Sequence, residues 1–286
     1  MPVPPPSLDF PPVRLDNLLE CTEYYLGVDE AGRGPVLGPL VYGLFLCPVQ
    51  QSGRLKEIGV ADSKALNEAE RENLFKKMLE DPDMSWVTRI ISPLEISDSM
   101  LRVQKYNLNE LSYDTVYSLL EQVLTRVKVK TLFVDTLGPP KAYQQRLELR
   151  FPQLAGKIIV APKADALYPP VSAASIIAKV TRDYCLKNWV FEDGPVPVKH
   201  RQFGCGYPGD PVTVKWLEDH VHEWHGFPDI VRFSWSSCQR ILDEKAIKVV
   251  FDDEVLTEEA AGSKRKPSVH KTVPKGVQFS GLTHLI

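Results

Sequence analysis

Tyr24-Tyr25-Leu26-Gly27-Val28-Asp29-Glu30-Ala31-Gly32-Arg33-Gly34-Pro35 is an apolar run that ends on two adjacent carboxylates and then turns through glycine, arginine and glycine. Side chains of a strand alternate between its faces, so Val28 and Asp29 point opposite ways, and one acid is expected where the strand leaves its sheet. Two neighbouring anions repel and need a cation, and hard ions such as Mg²⁺ and Mn²⁺ prefer oxygen ligands. The glycines let the backbone come close to a ligand, and Arg33 between them offers a fork of donors to phosphate. This combination reads as metal-assisted phosphodiester chemistry. A solvated acidic turn at the end of a strand is the competing reading. Asp243-Glu244 and Asp252-Asp253 show how readily paired acids occur in this chain.

Two familiar phosphate-binding patterns nearly fit and both fail. Gly27 to Gly32 has the glycine spacing of a P-loop, but Arg33 and Gly34 stand where Lys and Ser or Thr are required. Asp29 and Glu30 would also sit inside the phosphate cradle. Gly32-Arg33-Gly34 starts like a dinucleotide fingerprint, but Leu37 takes the third glycine position.

The 286 residues allow one large domain, or one domain with appendages. At 43% apolar and 25% charged the composition is that of a globular protein. A net charge of -3 argues against a general nucleic-acid binder, which carries an excess of Lys and Arg. It leaves room for a local basic groove, because metal-binding acids lower the total. Cys21, Cys47, Cys185, Cys205 and Cys238 are scattered with no Cys-x-x-Cys, which points to reduced thiols and an intracellular protein. No apolar run reaches the length of a membrane span, and the Pro-rich start does not read as a signal peptide. The histidines show no metal spacing. His220, His222 and His225 fall on an expected helix and are assigned no role.

Residues 1–20 read as a flexible, Pro-rich arm. Strands are expected at about Tyr24–Val28, Val36–Leu46 with a bend at Gly38-Pro39, Trp86–Ser92, Thr131–Asp135 and Lys157–Ala161. Helices are expected from Asn67 to Leu79, with Asn67 and Glu70 as a capping box, and over Leu108–Val127, Lys141–Phe151, Val171–Val190, Pro211–His225 and Ser236–Phe251. Adjacent early strands pair antiparallel, while the later ones need helical crossovers and run parallel. The fold class is therefore α/β, a mixed five-stranded sheet flanked by helices with a helical C-terminal extension. The expected organisation is the arm, a main domain over 21–195, a helical region over 196–251 and a mobile tail over 252–286. The tail is acidic at first, then basic at Lys264-Arg265-Lys266, with few apolar residues. The last expected helix carries Ile241, Leu242, Ile247, Val249 and Val250, which either pack on its own domain or dock a partner.

Asp29, Asp135 and Asp165 lie at or just after the ends of three expected strands, where sites collect in such sheets. With Glu30 they have the makings of a site for two divalent ions about 4 Å apart. Asp135 and Asp165 equally fit carboxylates that merely start turns.

Further motifs make the pattern specific. Asp62-Ser63-Lys64, Tyr106-Asn107-Leu108-Asn109, Val134-Asp135-Thr136, Lys163-Ala164-Asp165, the run from Ser172 to Asp183, Gly206-Tyr207-Pro208 and Val231–Trp235 follow the Gly27–Pro35 stretch in order. Over about residues 24–240 the chain resembles the type 2 ribonucleases H, and in particular the catalytic subunit of the eukaryotic enzyme. The resemblance implies an RNase H-like fold. It implies endonucleolytic cleavage of RNA in RNA·DNA hybrids and on the 5′ side of single ribonucleotides in duplex DNA, leaving 3′-hydroxyl and 5′-phosphate ends. It implies Mg²⁺ or Mn²⁺, two ions in the active complex, on Asp29, Glu30, Asp135 and Asp165 as catalytic acids and metal ligands. Gly32, Arg33 and Gly34 match a turn that reads the 2′-hydroxyl. Tyr207 matches a tyrosine at the RNA–DNA junction, and Lys64, Asn107 and Arg182 match contacts to the nucleic-acid backbone. Read alone, Lys64 and Arg182 are solvated cations, Asn107 is a helix cap and Tyr207 is a packing residue. Cys205 departs from the Ser that relatives often carry before Gly-Tyr-Pro. Two non-catalytic partner subunits and a nuclear location, with the cytoplasm as a second site, complete the expectation. Lys264-Arg265-Lys266 is either an import signal or an ordinary basic run.

Overall fold

The computed structural model describes residues 13–16, 18, 22–60, 66–102, 104, 106–191 and 201–248. Residues Met1–Ile247 cluster as one compact unit, which is the one described below. Its sheet is built from β1 (Val13–Arg14), β2 (Glu23–Ala31), β3 (Leu40–Pro48), β4 (Ser85–Ile91), β5 (Lys128–Asp135) and β6 (Ile158–Ala161). Their spatial order is β1-β4-β3-β2-β5-β6. β2, β3, β4 and β1 pair antiparallel, and β5 and β6 join parallel on the other side of β2. The mixed sheet is as expected, but it has six strands rather than five. The sixth is Val13–Arg14, inside the stretch read as a loose arm. It pairs with Val87 and Trp86, and Arg14 caps the carbonyls of Met78 and Leu79. Two residues beside a run of prolines give no periodicity to detect.

Alternation along β2 and β3 divides the core. Tyr24, Leu26, Val28, Leu40, Leu44 and Leu46 face α4 (Leu108–Leu124) and α5 (Pro140–Arg150), while Phe45 and Cys47 face α7 (Pro169–Lys187). α7 can lie this close because its contact face is small and because β2 carries Gly27. A Cβ at Gly27 would stand 2.2 Å from the Pro170 carbonyl, so no other residue fits there without pushing the helix away.

Several helices differ from expectation. α1 (Ser52–Ile58), α3 (Pro93–Leu101) and α6 (Ala164–Leu167) are too short to show a clear period. α2 (Glu68–Glu80) starts on the Asn67–Glu70 capping box as read. α8 (Pro211–His220) stops before His222, where the chain folds into a bridge with Gly226. α9 (Ser236–Lys245) ends before Ile247, whose N–H bonds the Glu223 carbonyl instead. The strand expected from Val36 begins at Leu40, because Leu37 leaves the sheet to bridge Val231. Ile241 is buried with Val36, Leu37, Trp216 and Ile230, so it packs on its own unit. Val249, Val250 and the 252–286 tail, with Lys264-Arg265-Lys266, lie outside the described residues.

Candidate active site

β2 supplies the first two acids. Its parallel ladder with β5 stops at Val28 opposite Val134, but its antiparallel ladder with β3 runs on, placing Asp29 opposite Gly43 and Glu30 opposite Tyr42. The strand therefore does not end before the acids, as expected, but carries both. Asp135 is the last residue of β5 and pairs with Ala161 of β6. The chain then turns at Lys163, in the left-handed region with φ 56°, and Asp165 is the second residue of α6. Asp135 Oδ1 accepts the backbone N–H groups of Thr136 and Ala164, each at 3.0 Å, which ties the end of β5 to the start of α6. Three strand ends thus deliver four carboxylates to one edge of the sheet.

Their charges act on one another. Burial first, then the Asp135 and Asp165 charges, push the Asp29 carboxyl up to about 7, against the nearby Ser175 hydroxyl and a hydrogen bond from the Glu30 backbone N–H at 2.8 Å. Burial and then Asp29 push Glu30 up to about 8, with Arg33 opposing. Glu30 keeps some residue surface exposed while its carboxyl group lies deep. Burial is the larger cause at both residues, and neighbouring carboxylates add to it.

The donor set fits a hard divalent cation. Among the described residues no three His, Cys, Asp or Glu side chains form a ready-made metal cage. Magnesium sites of this kind rarely have one: the ion keeps several waters and takes one or two carboxylates plus substrate phosphate.

The turn after the acids is clamped from behind. Arg232 is wholly buried and donates to the carbonyls of Gly32 at 2.6 Å, Arg33 at 3.1 Å and Gly38 at 2.8 Å. Trp235 donates from its indole to the Gly34 carbonyl at 3.1 Å and lies under the Arg232 guanidinium. Gly32 has φ +82°, and a Cβ there would stand 2.4 Å from Arg182 Nε. The Arg33 side chain is not free to fork onto phosphate in this state: it bonds Ser112 at 2.8 Å and Asn109, both on α4.

A cavity of about 420 Å³ opens between these parts, lined by Glu30, the Gly32–Gly34 turn, Lys179, Arg182 and Tyr207, among others. Arg182 is largely buried, and the same desolvation lowers its pKa. Tyr207 is half exposed, with its ring 3.1 Å from the place of a Gly34 Cβ. The structure therefore brings together Glu30, Gly32, Arg33, Gly34, Arg182 and Tyr207. Asn107 stands apart as the N-cap of α4, bonded to the N–H groups of Asn109 and Glu110. Lys64 lies outside the described residues. Sequence reading assigned no role to Lys179, Arg232 or Trp235. The Val231–Trp235 run was visible as a motif, but its partners lie about 200 positions away, beyond any local signal.

The profile of the family described as Ribonuclease HII matches residues 26–238. The ribonuclease H2 A-subunit of Rattus norvegicus is 49% identical over 252 residues, covering 87% of this chain and 83% of the relative. Its Homo sapiens counterpart is 49% identical over 229 residues, covering 80% and 76%. The solved ribonuclease H2 of Pyrococcus horikoshii OT3 superposes with a TM-score of 0.64 at 36% identity, over 77% of this chain and 98% of that one. A match this long, running through both the acid-bearing strands and the clamp behind the turn, means that the chain belongs to the ribonuclease HII family of metal-dependent ribonucleases, and within it resembles the catalytic subunit of the eukaryotic enzyme.

Proposed function

We propose that the chain, beyond cutting the RNA strand of RNA·DNA hybrids, incises on the 5′ side of single ribonucleotides embedded in duplex DNA, leaving 3′-hydroxyl and 5′-phosphate ends. One observation carries this reading: an acid of the cluster shares its cavity with a backbone turn and an exposed tyrosine, the equipment for recognising one sugar. Two ions, Mg²⁺ or Mn²⁺, held by Asp29, Glu30, Asp135 and Asp165 would supply an activated water and charge stabilisation at the leaving oxygen. The rest falls to the chain itself. Lys179 and Arg182 neutralise backbone phosphate at the cavity wall. Arg232 and Trp235 hold the carbonyls of the turn inward and so fix its other edge toward the nucleic acid, where a 2′-hydroxyl distinguishes RNA from DNA. Tyr207 offers a ring face to the sugar that follows. The region 196–251 completes the substrate site, since it provides Tyr207 and Arg232. Lys64 and Asn107 add backbone contacts.

The working form is a heterotrimer with two non-catalytic subunits, acting in the nucleus. The test is incubation of the purified chain, with and without those subunits, on a duplex carrying one ribonucleotide in Mg²⁺. A single cut 5′ of the ribonucleotide is expected, with weak or no activity from the isolated chain. Equal cutting of all-DNA duplex would refute the sugar reading, and full activity of the isolated chain would refute the subunit requirement. Asp135→Ala is expected to abolish cleavage while leaving the circular dichroism unchanged.

A further inference from the structure

Behind Glu30 the structure holds a polar group that the fold does not need. Tyr42 of β3 sits directly across from Glu30 of β2, and directly opposed residues of an antiparallel pair share one face. The other β3 positions on that face are Leu40, Leu44 and Leu46, so the packing there calls for an apolar residue. Tyr42 is 1% exposed, yet its hydroxyl makes no hydrogen bond of ordinary geometry. Ser112 and Arg33 lie beside it and bond each other, and the Ser112 hydroxyl donates its proton to the Leu108 carbonyl, so Ser112 does not donate to Tyr42. The equally buried hydroxyl of Tyr143, from α5, is also unsatisfied, and Tyr42 and Glu30 are among its neighbours. A buried donor without a partner destabilises the folded state, and a phenylalanine of the same shape would avoid the loss. A group retained at a cost to stability, facing a carboxylate of the cluster, belongs to the working state of that carboxylate.

We propose that Tyr42 is a positioning residue for the reaction, its hydroxyl being the donor that fixes the Glu30 carboxylate in its working orientation. The inference rests on the reading of Glu30 as one of the catalytic acids. Tyr42 touches neither metal nor substrate. It acts by limiting where the Glu30 oxygens can point, with Tyr143 behind it closing the polar pocket.

The experiment compares Tyr42→Phe, Glu30→Gln and the double variant of the full chain, assembled with whatever subunits its activity requires. For Tyr42→Phe, kcat on an RNA·DNA hybrid is expected to fall about tenfold or more, the loss of one hydrogen bond to a charged acceptor, with KM little changed. Calorimetric Mn²⁺ affinity of the substrate-free protein should weaken with it, while the Tm measured in a chelator stays level or rises. In the Glu30→Gln background the same change should have no further effect on Mn²⁺ affinity, because the two residues act as one unit. Glu30→Gln retaining wild-type cleavage would overturn the reading of Glu30 itself. An inactive Glu30→Gln beside a Tyr42→Phe of wild-type kcat and Mn²⁺ affinity would overturn the role of Tyr42 alone. So would a Tyr42→Phe whose activity falls only because its Tm has fallen.

Discussion

Replacing Arg232 by lysine tests whether the Gly32–Gly34 turn is held by a fork of donors or merely by a positive charge. The guanidinium reaches three backbone carbonyls at 2.6, 2.8 and 3.1 Å from a site with no solvent exposure. An ammonium on a flexible stem is a point donor and does not reproduce a planar fork. If the substituted lysine satisfied one carbonyl, two would lose a charged donor, each bond contributing about 1.5–3 kcal/mol. Partial replacement by water at the turn keeps the expected loss near the lower bound, about 3 kcal/mol. For a domain of this size that lowers Tm by roughly 6–12 °C. The consequence for activity is separate. The Gly32 and Arg33 carbonyls relax toward the cavity, and a displacement of about 1 Å in positioning groups costs on the order of a hundredfold. The acids hang from β2, β5 and α6, which Arg232 does not touch through its side-chain bonds. Mn²⁺ binding should therefore survive. The assays are differential scanning calorimetry, kcat/KM on a single-ribonucleotide duplex well below the variant's Tm, and Mn²⁺ titration. Wild-type kcat/KM with a lowered Tm would refute the positioning role, and an unchanged Tm would refute the energetic reasoning as well.

Three further outcomes are expected. Asp29→Asn should abolish cleavage yet stabilise the metal-free protein at alkaline pH. A carboxyl raised to about 7 in the folded state binds a proton that the unfolded state has released, so its favourable contribution is full below the unfolded value near 4 and is lost as pH rises through 7. The variant should exceed wild type by on the order of 2–4 kcal/mol at pH 9 and match it near pH 4, as read by urea unfolding in a chelator. Tyr207→Ala should reduce kcat/KM at a single embedded ribonucleotide roughly ten- to a hundredfold, and more than on a continuous hybrid; equal losses would leave it a general positioning residue. Asp210→Ala should loosen the loop that carries Tyr207, because that carboxylate accepts the N–H groups of Cys205 and Val212 and the Thr213 hydroxyl. A higher KM is expected with intact metal binding, and an unchanged KM would refute the dependence of Tyr207 on Asp210.

The separation between what the sequence reveals and what it hides follows the range of the interactions. The acid pair, the Asn67–Glu70 capping box and the antiparallel-then-parallel order of strands are local or nearest-neighbour features, and each leaves a pattern within a few residues. The continuation of β2 through Asp29 and Glu30 was hidden because the two acids are poor strand formers taken alone. Their pairing with Gly43 and Tyr42 overrides that preference. β1 is two residues long and exists only because Trp86 and Val87 offer it an edge. Arg33 reads as a phosphate ligand until α4 presents Ser112 and Asn109 to it.

Arg232 marks the limit most clearly. In the sequence it is one residue of the Val231–Trp235 run and carries no local sign of its role. In the fold it is a wholly buried charge, with desolvation bringing its pKa down to about 9 and Arg182 adding repulsion. A buried charge is kept only where it is well bonded, and here every side-chain bond goes to the segment that follows Asp29 and Glu30. The chain thus uses side chains at 232 and 235 to fix the turn that follows Asp29 and Glu30. The turn and the side chains that clamp it are encoded about 200 residues apart and meet at Gly32–Gly34. A change on the Arg232 side should consequently degrade discrimination between RNA and DNA before it degrades metal binding, and a change at Asp29 should do the reverse.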